Sequence, residues 1–406
     1  MKQFILAAGL AAAWAAAWAA PAFADDKVVK LGVLNDQSGL YVDLGGPGSV
    51  LAAKMAVEDS GLVAKGWTIE VLVGDHQNKP DVGVGIAKRW FDEGKIDAIV
   101  DVPNSGVGLA VAGVIKEKNG VFLVSGAVSS DLTNSKCSPN TVHWIVDTYG
   151  LAHSTGGSIV KAGGDSWFFL VADYAFGKTL LRDTSAVVEA SGGKVVGSVS
   201  APINTSDFSS YLLQAQNSKA KVIGLANAGG DTTNSIKQAH EFGLAAGGQT
   251  LAPLLMFIAD VHSLGLEVAQ GLRFTATYYW DRNDASRAFA KRFAERQTSH
   301  AMPTMEQAGS YSAVLSYLKT LETAGGNSHD GAKVVGLMKA TSFDDPLYGT
   351  VTIREDGQAM YPVYLFEVKK PAESKYPWDY YKTLATLPAQ EWSRPLAQSE
   401  CQLVKK

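Results

Sequence analysis

Short apolar runs alternate with helix-length segments along most of this chain, and the alternation occurs twice. "KVVKLGVLN" (27–35), "TIEVLVGD" (68–75), "IDAIVDVP" (96–103) and "GVFLVSG" (120–126) read as strands. Between them lie the helical segments 46–60, 81–94 and 105–119. Near residue 145 the rhythm restarts with a helix over 149–163. Strands at 166–173, 194–202, 221–229, 250–257 and 271–280 follow, with helices at 177–191, 207–218 and 232–243. This spacing predicts right-handed β-α-β units and parallel sheets covered on both faces. After Trp280 the texture turns helical, then a hairpin is expected over 350–368 with its turn at "EDGQ". The tail beyond it is rich in Pro, Tyr and Trp, with too many breakers for regular structure.

The first 24 residues read as a cleaved export signal: a basic start at Lys2, a run of Ala, Leu and Trp, and a small-x-small end at Ala22–Ala24. An exported chain holding only Cys137 and Cys401 is expected to pair them, which would pin the tail to the middle of the chain. A net charge of −4 without a basic block argues against nucleic acid and against an anionic membrane surface.

Motifs that carry chemistry are mostly excluded. "DYAFGKTLL" (173–181) contains GKT, but a phosphate loop needs a Gly with four residues between it and the Gly-Lys pair. Ala172 stands there, so the triplet reads as the start of a helix. "LGGPGS" (44–49) lacks the dinucleotide order. The seven histidines show no metal spacing, and no serine sits in a nucleophile elbow. No cofactor, no metal and no catalytic group are expected.

Ligand contact has a physical pointer instead. Parallel α/β sheets bind ligands outside the carboxyl ends of their strands. Those ends are "NDQSGLY", "PNSGVG", "SGAVSS", "ADYAFG", "NAGGD", "MFIAD" and "YYWD". They offer Tyr41, Tyr174, Phe176, Phe257 and Tyr278 as flat walls, and Asn104, Ser105, Gly106, Ala127, Val128, Ser129, Asn227 and Asp231 as small or polar contacts. Ser105 and Gly106 open a helix, whose free N–H groups suit a carboxylate.

"KLGVLNDQSGLYVDLGGPGSVLAAKMAVED", "VGDHQNKPDVGVGIAKRWFDEGKIDAIVDVPNSGVGLAVA", "FLVSGAVSSDLT" and "VADYAFGKTLLRDTSAVVEASGGKVVGSVSAP" together resemble the type I periplasmic solute-binding proteins of the leucine/isoleucine/valine-binding family. The resemblance spans nearly all of residues 27–368. It implies two α/β lobes, each a parallel sheet flanked by helices, joined by three crossings at a hinge. The lobes would comprise 25–147 with 276–349 and 148–275 with 350–370, and 371–406 would form an extended tail packed on them. It implies a monomer in the periplasm that serves an inner-membrane ABC permease. Ser105, Ala127 and Ser129 would grip the ligand from the first lobe, and Tyr174 would close from the second. The family's amino-acid binders hold the ammonium with an acidic residue after a later second-lobe strand. Phe257 stands near that position here, in "LLMFIAD". An ammonium without a counter-charge is costly in an apolar cleft. Together with the "CSPNTVHW" segment and the Cys-bearing tail, this resembles the subgroup that binds aromatic acids such as benzoates. The expected ligand is therefore a small aromatic carboxylate. The alternatives are an amino-acid or amide solute, if Asp231 or Asp260 reaches the cleft, or a ligand-sensing receptor module.

Overall fold

The computed structural model describes residues 26–405, so the expected export signal lies outside the described residues. The first sheet comprises β1 (Val28–Asn35), β2 (Thr68–Asp75), β3 (Ala98–Asp101), β4 (Val121–Val124) and β5 (Thr141–His143). Its order is β2-β1-β3-β4-β5, and every pairing is parallel. The central strands AIVD and VFLV are buried along their whole length. Such unbroken apolar runs are what a sheet covered on both faces requires. One face packs on Met55 and Ala56 of the helix Gly46–Ser60 and on Val314 and Leu318 of the helix Met305–Thr323. The other packs on Trp90, Phe91 and the apolar side of the helix Ser105–Lys118.

The second sheet comprises β6 (Ser166–Ala172), β7 (Lys194–Ala201), β8 (Val222–Ala226) and β9 (Thr250–Pro253), ordered β7-β6-β8-β9 and also parallel. The GKT triplet lies in the first turn of the helix Ala175–Ala190. Gly177 is needed there for packing, since an added Cβ would meet the Ala172 carbonyl oxygen at 2.1 Å. Among the described residues no helix is long and apolar enough to cross a membrane.

Four sequence expectations change. The last second-lobe strand shortens to β10 (Arg273–Ala276), which leaves the parallel sheet. Strand β5 forms inside "CSPNTVHW", which carried no strand expectation. The expected hairpin divides: β11 (Phe343–Asp345), β12 (Gly349–Ile353) and β13 (Ala359–Met360) form one antiparallel sheet, with Gly357 at φ 93 in the turn. Its second arm becomes β14 (Val363–Val368), which pairs with β10 and with β15 (Tyr381–Leu387). The tail is thus not wholly irregular, because β15 turns back along the preceding strand β14 and pairs with it antiparallel. Gln358 bridges His143 of β5, and the His143 N–H donates to the Gly357 carbonyl (2.8 Å). We therefore propose that residues 350–360 go with the first lobe, not the second, and that the chain crosses after Met360.

Cys137 and Cys401 are disulfide-bonded across 264 residues of sequence, with Cα atoms 5.6 Å apart. Upstream of Cys401, Trp392 is fully buried and its indole N–H donates to the Tyr361 carbonyl (2.9 Å). Arg394 lies over the Tyr149 ring, 4.2 Å from its centroid.

Candidate functional site

Loops from the carboxyl ends of both parallel sheets meet, Tyr41 and Val128 of the first against Tyr174 and Ala228 of the second. The loop after β1 is shaped by Asp36, whose carboxylate accepts the N–H groups of Gly39 (2.7 Å) and Tyr41 (2.8 Å). That turn sends Tyr41 toward the opposite lobe, where its hydroxyl meets the Tyr174 hydroxyl at 2.7 Å. Burial raises the ionisation point of both phenols, so both stay neutral and each is able to donate.

Around this contact lies a void of about 10 Å³, near the size of one water. Its first-lobe wall is Tyr41, Leu44, Pro103, Gly126, Val128 and Glu306. Its second-lobe wall is Tyr174, Phe176, Ala228, Leu255 and Phe257. Small-molecule pockets run to several hundred Å³, roughly 300–1,000. The lobes are closed on each other here, and admitting a solute requires them to part, the hinge motion of a two-lobed fold. A larger hollow of about 500 Å³ lies at the opposite end of the first sheet, among Lys95, Asp97, Lys118 and His329. Strand amino ends are not where such sheets take ligands, so its size does not make it the site.

The structure gathers Tyr41, Val128, Tyr174, Phe176 and Phe257 from the expected residues. Others turn out to serve their own loops. The Asn104 side chain caps the helix Ser105–Lys118, accepting the N–H groups of Gly106 (2.9 Å) and Val107 (3.1 Å). Those N–H groups are therefore not free for a carboxylate, contrary to expectation. The Ser105 hydroxyl accepts the Ser129 N–H (3.2 Å), and the Ser129 hydroxyl caps the turn that follows. Ala127 is fully buried, and its carbonyl meets His143 Nε2 at 2.7 Å. Asn227 accepts from the Thr232 hydroxyl (2.8 Å) and donates to Ser235 Oγ (3.2 Å), closing its own helix start. Tyr278 donates to the Ser286 carbonyl (3.1 Å) and lines a separate small void behind Phe257.

The two acids left open at the sequence level separate. Asp260 binds the N–H of Phe257 (2.8 Å) and does not line the void. Asp231 is 2% exposed and stands near enough for its charge to act on Tyr41 and Tyr174. Its Oδ2 accepts the Asn204 N–H (3.0 Å), while Oδ1 has no hydrogen-bond partner among the described residues. Burial pushes this carboxyl up to about 6.

Glu306 and Asp101 went unnoticed in the sequence. Glu306 follows Thr304, whose hydroxyl and the Gln307 side chain form a capping box at the helix start. An acid there is commonly a solvated partner of the helix dipole. The available signal was its surroundings: no further charged residue occurs until Lys319, which marks a helix buried all round. Asp101 ends β3 at φ 82 and Val102 follows at φ 62. Left-handed backbone at two successive non-glycine residues, one β-branched, is strained by order 1–3 kcal/mol each, and such strain clusters at functional sites.

Two α/β lobes, each with a parallel sheet, meet at a ring-lined contact beyond the strand ends. The periplasmic binding protein family model matches residues 28–375, and the chain belongs to that family. A periplasmic binding protein of Burkholderia mallei is 47% identical, covering 93% of this chain and 100% of its own, with a TM-score of 0.89. A branched chain amino acid ABC transporter periplasmic ligand-binding protein of Burkholderia xenovorans LB400 is 37% identical, with coverage of 93% and 100% and a TM-score of 0.82. An ABC transporter solute binding protein of R. palustris in complex with benzoate shares the fold at 21% identity, with coverage of 92% and 99% and a TM-score of 0.80.

Proposed function

We propose that this chain is the periplasmic substrate-binding component of an ABC importer and hands its solute to an inner-membrane permease. The observation that carries the reading is the Tyr41–Tyr174 hydroxyl contact, which joins the two lobes over a void walled by rings. A solute there would bury a flat or branched apolar body against Tyr174, Phe176 and Phe257. That shape suits the aromatic acid expected from the sequence, and the fold shared with the benzoate-bound protein is consistent with it.

The end group of the solute points elsewhere. No Lys or Arg lines the void, and the helix end at Ser105 is capped by Asn104. A buried acid, Glu306, lines it instead, and a second, Asp231, is near enough for its charge to act on Tyr174. The acids favour a solute that carries a nitrogen cation or amide, the amino-acid or amide alternative, over a simple aromatic anion, in keeping with the Burkholderia xenovorans relative, a branched chain amino acid ABC transporter periplasmic ligand-binding protein.

Calorimetric titration of refolded, ligand-stripped protein with L-leucine, L-phenylalanine and 4-hydroxybenzoate tests both levels. Micromolar or tighter binding of an amino acid, weakened at least roughly tenfold by Tyr174→Ala, is expected. Exclusive binding of 4-hydroxybenzoate would return the ligand to the aromatic acids. Binding that ignores Tyr174→Ala would move the site out of this cleft.

A further inference from the structure

We propose that Glu306 and Asp101 share one proton and that Glu306 is the seat of a positively charged nitrogen on the solute. This rests on the cleft reading above and adds a specificity-determining residue to it.

Asp101 arrives from the end of β3 and Glu306 from the first turn of the helix Met305–Thr323. They are 0% and 1% exposed. Their carboxyls are close neighbours, and two carboxylates buried this near each other do not both ionise. Gly45 makes room for the meeting: a Cβ there would lie 2.2 Å from Glu306 Oε1 and 2.8 Å from Asp101 Oδ2.

The surroundings say which partner carries the proton. Asp101 accepts from the Asn35 amide (2.8 Å) and from the Ser125 hydroxyl (3.3 Å). Those donors favour its ionised form. Glu306 Oε1 has no hydrogen-bond partner among the described residues, and its side chain lines the void. The titratable groups facing it are Asp101, Asp36 and Tyr174, with Tyr41 beside Tyr174 and Asp231 across the cleft. None of these is cationic at neutral pH. Burial first, and the Asp101 charge second, push Glu306 well above the usual carboxyl range.

A solute ammonium reaching Glu306 takes over the role of the shared proton. The pair holds one negative charge with the proton bound. Two carboxylates beside one ammonium hold the same charge, so the exchange is balanced when the proton leaves to solvent. Binding therefore strengthens as pH rises.

The test uses the mature protein, Glu306→Gln and Asp101→Asn, titrated with L-leucine, L-phenylalanine and 3-phenylpropionate at pH 6, 7 and 8. Each titration is repeated in two buffers of different ionisation heat, so that released protons are counted. Infrared difference spectra of wild type against Glu306→Gln, without solute, report whether residue 306 is protonated at pH 7. The expectation is a carboxylic-acid band in wild type and release of about one proton per amino acid bound. Affinity should rise by up to about tenfold per pH unit. Glu306→Gln should lose at least roughly tenfold in amino-acid affinity, together with the pH slope, while 3-phenylpropionate binding does not weaken. Absence of the acid band overturns the proposal whatever binds. An unchanged pH slope in Glu306→Gln, or silence toward both amino acids, also overturns it. Binding of 3-phenylpropionate alone overturns the nitrogen seat but leaves the cleft reading standing.

Discussion

The two walls of the cleft are built from the same kind of loop but use their polar groups differently. On the first-lobe side, Asn104, Ser105 and Ser129 bond to one another's backbone or to their own helix starts. Glu306 lines the void from this side, with Asp101 beside it. On the second-lobe side the wall is Tyr174, Phe176 and Phe257, with Asp231 holding one oxygen unpaired. Hydroxyls and amides at a strand end are thus not ligand groups by default. Buried loop backbone has to be satisfied first, and short polar side chains are the nearest partners.

The largest effect expected is outside either wall. Cys401→Ser should destabilise the protein by about 2–4 kcal/mol in denaturant unfolding, because it frees the clasp between tail and first lobe. Solute affinity should stay within about twofold. A matching loss of affinity would mean that the tail shapes the first wall, and the comparison would need a third member.

Tyr174→Ala removes the ring that meets Tyr41 and should cost about 2 kcal/mol of binding, a hot-spot value, with little change in stability. Asn104→Ala should do the reverse. Losing a helix cap costs about 1 kcal/mol of stability, while affinity holds, since the cap faces its own helix. Equal affinity losses in both variants would erase the distinction between the walls.

Asp231→Asn gives the smallest and most pH-dependent change. A carboxyl raised to about 6 in the native state binds more protons than its unfolded counterpart near 4. Wild-type stability therefore falls as pH rises through that window and levels off above it. The variant should gain on wild type by order 1 kcal/mol above pH 6 and show no gain below pH 4. Thermal unfolding of both proteins from pH 4 to pH 8 measures it. A gain independent of pH would assign the effect to packing instead.

Much of the architecture was legible because it rests on periodicity. The helix Gly46–Ser60 and the strand Thr68–Asp75 occur at the residues read from the sequence. Strands β5 and β15 were not legible, since β5 is three residues long and β15 alternates exposed polar residues with few apolar ones between breakers. Of the site, the aromatic walls could be read, because Tyr174 and Phe257 sit at strand ends and strand ends converge in parallel sheets. Glu306 could not, because its helix starts far downstream and only packing brings that first turn beside Asp101.

The sequence by itself determined the two parallel sheets, the disulfide and the strand ends whose loops meet between the lobes. Those follow from local patterns, from a single possible cysteine pairing and from chain direction. Only the tertiary structure decided which polar groups face the cleft. A polar side chain has several partners within reach of its loop. Which of them remains unpaired depends on how far every neighbouring group has already been satisfied.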